Sequence, residues 1–223
     1  MNGLRRIGRL LMPGWALAEQ AEAQARQPLS LPTEITLADI TLTLRYLEQT
    51  DGSRILTFAR ALSAHDMLFL RRDITREDQV EAWLEDAAHG LTTTVLALHD
   101  DEIVGYATVS SDGLSWTRHV RELRVSVAES MRQKRLGRLL IQQAFAIARA
   151  EGAIKMIAQM TVDQVAAIAV FKQMGFAPEA RLRSQVIDRD GSLHDLQIMS
   201  LDVAAFRAKL DALLGATESR TQL

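Results

Sequence analysis

The stretch from residue 123 to residue 152 constrains the fold more than any other part of the chain. It opens with the alternating residues Leu-Arg-Val-Ser-Val, passes through a basic segment that contains one glycine, and closes on a long run with helical apolar spacing. The alternation predicts a strand and the spacing predicts a helix. The first N–H groups of a helix lack internal partners, and its dipole favours negative charge there. The basic loop between the two elements is therefore expected to bind an anion.

Patterns elsewhere predict one α/β (α+β) domain. Alternation and turn residues predict strands over 41–46, 93–98, 103–109, 118–127, 154–160, 180–188 and 193–201. Apolar spacing predicts helices over 54–62, 136–150, 165–174 and 203–214, and one that starts at a Thr75/Asp78 capping box and ends at Gly90. The resulting order, β-α-α-β-β-β-α-β-α-β-β, predicts a mixed, mostly antiparallel sheet of about seven strands flanked by helices.

Domain organisation follows from the same patterns. Residues 41–203 are expected to form the domain, and residues 204–223 a C-terminal helix and polar tail. Residues 1–40 are expected to be a basic amphipathic segment followed by a linker over 19–40, because Arg5, Arg6 and Arg9 lie among helically spaced apolar residues and Pro28 and Pro32 follow. The basic segment has three open interpretations: a loosely packed arm, a membrane-surface helix, or a contact to a partner.

Composition excludes several classes of protein. The chain has 223 residues, 48% of them apolar, a net charge of −2 and no cysteine. Disulfides, cysteine nucleophiles and thiolate metal ligands are therefore excluded, and a cytoplasmic location is expected. No apolar run reaches the ~18 residues of a membrane span, and the near-neutral charge gives no sign of a nucleic-acid partner. The five histidines lack metal-ligand spacing, so no metal is expected.

Two motifs resemble those of the GNAT superfamily of acyl-CoA N-acyltransferases over about residues 41–203. Arg132-Gln133-Lys134-Arg135-Leu136-Gly137 resembles the family loop Arg/Gln-x-x-Gly-x-Gly/Ala, with Arg135 where the first glycine is usual. The segment from Gln164 to Phe176 resembles Asn-x-x-Ala-x-x-x-Tyr-x-x-x-Gly-Phe, with Gln164 for Asn and Phe171 for Tyr. We expect Arg135 to fit if its backbone is helical and its side chain turns outward.

The resemblance implies a fold, a co-substrate and site residues. Acetyl-CoA would be the acyl donor, with its pyrophosphate at the loop and its thioester carbonyl at the backbone N–H groups of the preceding strand. The residues implied in acetyl-CoA binding are Val125, Ser126, Val127, Arg132, Gln133, Lys134, Arg135, Leu136, Gly137, Arg138, Gln164 and Phe171. In the family, the Tyr at the Phe171 position often protonates the leaving thiolate, so Phe171 leaves that step to another proton source.

Glu122 is the candidate general base. An acceptor amine with a pKa of about 10.4 must lose a proton before attack, which costs about 4.6 kcal/mol at pH 7 (about 3.4 units at ~1.36 each). Strand alternation places Glu122 opposite the apolar face of Leu123 and Val125. The resemblance implies the same role, since bacterial protein-lysine acetyltransferases carry Glu at this offset. The alternatives are a solvated Glu122 paired with a nearby arginine, and His119 as the base.

The sequence thus predicts an acyl-CoA-dependent N-acetyltransferase that works by direct attack in a ternary complex. A catalytically silent acyl-CoA-binding regulatory module is the alternative, because Arg135 and Phe171 depart from the family pattern. The acceptor is a small amine, a protein lysine or a protein N-terminus, and both monomer and homodimer remain open. Trp83 is expected to pack its helix on the sheet, whereas Trp116 is a candidate neighbour of the acceptor site.

Overall fold

The computed structural model describes residues 29–67, 70, 72–113, 116–188 and 190–206. The basic N-terminal segment and the predicted C-terminal helix beyond residue 206 lie outside these residues. Within them, no helix combines the length and the apolar character that a bilayer-spanning segment needs.

Eight strands form one sheet. They are β1 (Thr33–Leu37), β2 (Ile40–Tyr46), β3 (Thr92–His99), β4 (Glu102–Ser110), β5 (Val120–Val127), β6 (Lys155–Thr161), β7 (Ala177–Ile187) and β8 (Leu193–Asp202). Their spatial order is β1-β2-β3-β4-β5-β6-β8-β7. Every neighbouring pair is antiparallel except β5 and β6, which are parallel. The predicted mixed, mostly antiparallel sheet is confirmed, with eight strands.

Five helices connect and cover the strands, and the described residues also include the start of a sixth helix, over 203–206. The five are α1 (Gly52–Arg60), α2 (Ala64–Met67), α3 (Glu77–Ala88), α4 (Leu136–Ala150) and α5 (Val165–Gln173). Short 3₁₀ turns precede α1 at Gln49–Asp51 and follow β5 at Glu129–Met131.

Each face of the sheet has its own apolar core. On one face, α4 and α5 pack against the strands through side chains such as Leu140, Phe145 and Met156. On the other face, α1 and α3 pack against β3 and β4 through Phe58 and Trp83, among others. β4 and β5 lie centrally in the sheet, so their residues alternate between the two cores.

The local patterns explain most element boundaries. Helix α4 spans the predicted residues 136–150, and the β3–β4 hairpin turns at Asp100 and Asp101, which both adopt the positive φ that a two-residue hairpin turn requires. Trp83 packs α3 on the sheet as expected, with its ring centroid 5.0 Å from that of Tyr106.

Three local predictions were wrong. Residues 33–37, expected in a linker, form the edge strand β1. The short helix α2 was not predicted. The capping box was also wrong, because α3 starts after Arg76 with no side-chain cap, and the Thr75 hydroxyl instead donates to Asp73 at 2.5 Å.

Candidate active site

A gap opens between the two parallel strands at the centre of the sheet. β5 and β6 pair only at their first residues, from Val120 opposite Lys155 to Glu122 opposite Ile157. Beyond that point β5 continues with β4 as far as Val127, while β6 continues with β8 as far as Thr161. The two strands therefore diverge, and Glu122 lies where the gap begins.

Backbone N–H groups of β5 face this gap. The Ala128 N–H donates to the Val104 carbonyl oxygen on the β4 side. Because N–H groups along a strand alternate between its two edges, those of Val125 and Val127 point the other way, towards β6. The gap therefore offers two donors to a carbonyl oxygen.

The basic loop after β5 has an unusual backbone. Gln133 and Arg135 both adopt positive φ, 61° and 69°, and Arg135 immediately precedes α4. The helical backbone on which the fit of Arg135 was made conditional is not found. Arg135 is left-handed, the conformation that glycine adopts most easily. At the position where the family motif has its first glycine, Arg135 thus has a backbone conformation that glycine favours.

The predicted phosphate-binding residues gather at the start of α4. Leu136 is fully buried and anchors the first turn in the core, whereas Gly137 and Arg138 are half-buried. Gln133 and Arg135 are exposed, and Lys134 is half-buried. Backbone N–H groups of the first helical turn together with these side chains form a cationic cradle. We call residues 132–138 the cradle.

Helix α2 contacts the cradle and the far side of the gap. Arg132 Nη2 lies 2.5 Å from Asp66 Oδ1. His65 Nε2 lies 3.1 Å from Asp163 Oδ2, in the loop between β6 and α5. Burial raises the pKa of Asp66, but hydrogen bonds from Ser63 and Arg132 outweigh it, so the net pKa is lowered. These contacts join segments far apart in the chain, and no sequence pattern predicted them.

Two residues of the second motif, Gln164 and Phe171, have different surroundings. Gln164 is half-buried at the start of α5, and its carbonyl oxygen accepts a helical hydrogen bond from Ile168. Phe171 is 4% exposed and packs edge-on against Phe176, with ring centroids 5.1 Å apart. The Phe171 side chain therefore serves the core next to the site and brings no hydroxyl.

Glu122 is held by an arginine in a largely buried setting. Its side chain is 11% exposed, and its Oε1 lies 2.5 Å from Arg124 Nη2. The predicted alternative of an ion pair is thus confirmed, but the pair is not solvated. Arg121 points to the other face and pairs with Glu151 at 3.0 Å.

A cavity of about 220 Å³ lies next to the Glu122–Arg124 pair on the α3 face of the sheet. Its lining includes Arg124 of β5, Tyr106, Thr108 and Ser110 of β4, Trp83 and Asp86 of α3, and Arg72. Arg72 Nη2 pairs with Asp86 Oδ2 at 2.5 Å. Burial raises the pKa of Tyr106 to about 12, with the Arg124 charge opposing the shift, so the phenol stays protonated.

A larger cavity of about 450 Å³ lies between α1, the β3–β4 turn and residues 128–130. Its charged lining is dominated by carboxylates, Asp66, Asp100, Asp101, Glu102 and Glu129, against the single Arg54. This charge disfavours an anionic ligand.

The remaining candidates lie outside the gap. His119 is exposed in the turn before β5, and its carbonyl oxygen accepts from Ile154. Trp116 is 77% exposed. Among the described residues, no group of three or more acidic or histidine side chains is arranged to hold a metal ion.

Comparisons with solved structures find the same fold. A GNAT-family acetyltransferase from Streptococcus pneumoniae is 21% identical, and the match covers 72% of this chain and 98% of that one at a TM-score of 0.63. The structure of yncA from Salmonella typhimurium with its cofactor acetyl-CoA is 21% identical, with coverage of 73% and 94% and a TM-score of 0.62. Spermidine N-acetyltransferase from Vibrio cholerae, in complex with CoA and spermine, is 18% identical, with coverage of 74% and 97% and a TM-score of 0.62.

Sequence comparison identifies the family. A search of curated protein sequences found no match. The model of the acetyltransferase (GNAT) family matches residues 58–176, just over half of the chain, from α1 through the gap and the cradle to Phe176. The chain belongs to the GNAT family, and is thus an acyl-CoA-dependent N-acetyltransferase.

Proposed function

We propose that the protein transfers an acetyl group from acetyl-CoA to a primary amine by direct attack in a ternary complex, with Glu122 as general base. The observation that carries this proposal is the end of β5–β6 pairing at Glu122. Glu122 therefore lies where the gap between β5 and β6 begins. The N–H groups of Val125 and Val127 face this gap, and the cradle follows β5 in the chain. We propose the cytoplasm as its location, as the lack of cysteine suggests.

Residues of the chain divide the binding of acetyl-CoA between them. The first-turn N–H groups of α4, with Arg132, Lys134 and Arg138, suit the pyrophosphate because they combine the helix dipole with fixed cations. The gap walls suit the pantetheine chain. The thioester supplies the acyl group and a thiolate leaving group.

Glu122 would take the proton that an acceptor ammonium must lose before attack. Glu122 can accept a further hydrogen bond while it is paired with Arg124, because a carboxylate has two oxygens and about four acceptor sites. As nitrogen bonds to the carbonyl carbon, the N–H groups of Val125 and Val127 would stabilise the charge that grows on oxygen. The C–S bond then breaks, and the second nitrogen proton reaches the thiolate through solvent. Phe171 supplies no proton, but a thiol of pKa ~8.5 leaves readily as its anion.

The test measures acetyl-CoA binding by calorimetry and thiol release across a panel of amines. Since the chain has no cysteine, thiol reagents report released CoA alone. We expect Glu122→Gln to lower kcat by about 10²- to 10⁴-fold, the range of general base catalysis, and to leave the acetyl-CoA Kd within a few fold.

Glu151→Gln is the matched control, because it makes the same exchange in an ion-paired carboxylate on the opposite face of the sheet. A Glu122→Gln variant with near-native turnover would rule out Glu122 as the base. Tight acetyl-CoA binding without thiol release for any amine would identify the protein as the silent module instead.

A further inference from the structure

The cavity beside Glu122 holds charges in matched pairs. Glu122 faces Arg124, and Asp86 faces Arg72, both at 2.5 Å. The charged side chains that line the cavity itself are two guanidiniums, of Arg72 and Arg124, and two carboxylates, of Asp86 and Asp112. Asp112 accepts the Thr117 hydroxyl at 2.5 and 2.6 Å. The cavity is thus close to neutral, which gives a polycation little excess negative charge to bind and a polyanion little excess positive charge.

An adjacent carboxylate and guanidinium form a template for a zwitterion. In a free α-amino acid, the ammonium and the carboxylate are attached to the same carbon. Each can therefore meet the opposite charge of a side-by-side pair such as Glu122 and Arg124. A guanidinium carries five N–H donors in a planar fork that matches carboxylate geometry, so Arg124 can serve Glu122 and a second carboxylate together. Because Glu122 contacts Arg124, which lines the cavity, a carboxylate bound at Arg124 would bring the amine of the same molecule close to Glu122.

The size and walls of the cavity set limits on the rest of the acceptor. A volume of about 220 Å³ corresponds to roughly seven water molecules at about 30 Å³ each, enough for one small molecule or for one side chain of a larger acceptor. Trp83 and Tyr106, in ring contact, and Ile74 give the cavity an apolar side. Such a wall favours an apolar or aromatic side chain over a charged one.

We infer that the acceptor is a free α-amino acid with an apolar side chain, whose carboxylate binds Arg124 while its amine faces Glu122. The inference rests on the proposed acetyl transfer and names its acceptor class. Arg124 is thus a specificity-determining residue that contacts the substrate directly.

The test compares acceptors that differ only in the carboxylate. Initial rates of thiol release are measured for L-phenylalanine, L-phenylalaninamide and 2-phenylethylamine. The charge-assisted hydrogen bonds to Arg124 are expected to raise kcat/KM for the amino acid about 10- to 100-fold above that for 2-phenylethylamine. In Arg124→Gln this ratio is expected to fall to about one, and in Arg124→Lys to be partly restored. Loss of Arg124 would also disturb Glu122, but this would slow both acceptors alike and would cancel in the ratio of their kcat/KM values.

Arg121→Gln is the matched control, since Arg121 is an ion-paired arginine of the same strand on the opposite face, and its ratio should stay native. If Arg124→Gln fails to fold, the native ratio and Arg124→Lys still decide. A native ratio near or below one, or faster turnover of spermine or a lysine peptide than of any amino acid, would overturn the inference while leaving acetyl transfer intact.

The inference can also be decided without turnover. Calorimetric titration of L-phenylalanine and 2-phenylethylamine into the protein saturated with CoA should show tighter binding of the amino acid by a similar factor. If no amine releases thiol, the proposed function fails, and equal or absent binding of the two compounds would then overturn the acceptor class as well. If instead the native protein binds the amino acid and Arg124→Gln does not, amino acids are still the ligand class of this cavity although they are not acetylated.

Discussion

Arg135 stands where the family motif has a glycine and adopts a backbone conformation that glycine favours. Its φ of 69° lies in the left-handed region, which costs an L-residue with a Cβ about 1–2 kcal/mol. Leu136 next to it is fully buried, so the start of α4 cannot shift to relax the backbone. The side chain is exposed and adds a cation to the cradle.

Replacing Arg135 separates the backbone contribution from the charge. We expect Arg135→Gly to exceed Arg135→Ala in stability by about 1 kcal/mol, because glycine relieves the left-handed strain and alanine does not. Both variants lose the same cation and should weaken acetyl-CoA binding equally. Urea unfolding and calorimetry measure the two effects. Equal stabilities would mean that the loop changes conformation when arginine is removed.

Sequence patterns captured the side-chain placement in β5 well. Alternation predicted Glu122 opposite Leu123, and the structure has Leu123 in the core and Glu122 beside a cavity. The choice of Arg124 as the partner of Glu122 follows from the same two-residue period. The backbone of Arg135 could not be predicted, because left-handed conformation in a non-glycine residue is imposed by its surroundings.

At the scale of elements, α4 packs closely on the sheet at Gly105. A Cβ there would lie 3.0 Å from the Ser126 carbonyl oxygen, 3.2 Å from Leu140 and 3.3 Å from Leu136. The absence of a side chain on β4 thus sets how closely the start of α4 packs on β5, and with it the position of the cradle.

Gly105→Ala should push α4 away from the sheet. We expect a loss of about 1–3 kcal/mol in the free energy of unfolding, as for overpacked cores, and weaker acetyl-CoA binding, because the cradle moves with the helix. Gly137→Ala is the control for stability only, since Gly137 belongs to the cradle. Its Cβ would meet Val127 at an ordinary 3.7 Å, and alanine favours a helix by up to about 1 kcal/mol. Denaturant unfolding and calorimetry decide. If Gly105→Ala is as stable as the native protein, the packing here is looser than the structure indicates.

The α2–cradle contact predicts an effect on binding. Asp66 competes with any phosphate for Arg132, which it contacts at 2.5 Å. We expect Asp66→Asn to tighten acetyl-CoA binding several fold at low salt. We expect it to change the free energy of unfolding by about 1 kcal/mol or less, because Asn has the same shape and the Arg132 end of the pair is exposed. Asp78→Asn, in the exposed Arg76–Asp78 pair, should leave affinity unchanged. Weaker binding in Asp66→Asn would show that Asp66 orients Arg132 for the ligand.

These contacts mark the limit of what local patterns predict. Asp66 and Arg132 are 66 residues apart in the chain, and a four-residue helix such as α2 has no periodicity to detect. The strand β1 was missed for a similar reason, since five residues after Pro32 resemble a linker until β2 pairs with them. Long, strongly periodic elements such as α4 were predicted to the residue.

For the whole molecule, the decisive property is that one sheet has an apolar core on each face and opens between β5 and β6. Paired strands on either side hold β5 and β6 apart beyond Glu122. A ligand that fills the gap would bridge the two halves of the sheet and bind only the folded protein. It should therefore stabilise the entire fold.

Acetyl-CoA at about 100 times its Kd should add about 2.7 kcal/mol to the free energy of unfolding. For a domain of this size that corresponds to a rise in Tm of roughly 5–11 °C. S-acetylpantetheine, which has the thioester arm without the pyrophosphate, should raise Tm far less at the same concentration, because the gap alone would hold it. Differential scanning calorimetry with both ligands measures the difference. Equal rises in Tm would mean that the cradle contributes little and that the gap supplies the affinity. If neither ligand raised Tm, a donor site between β5 and β6 would be ruled out.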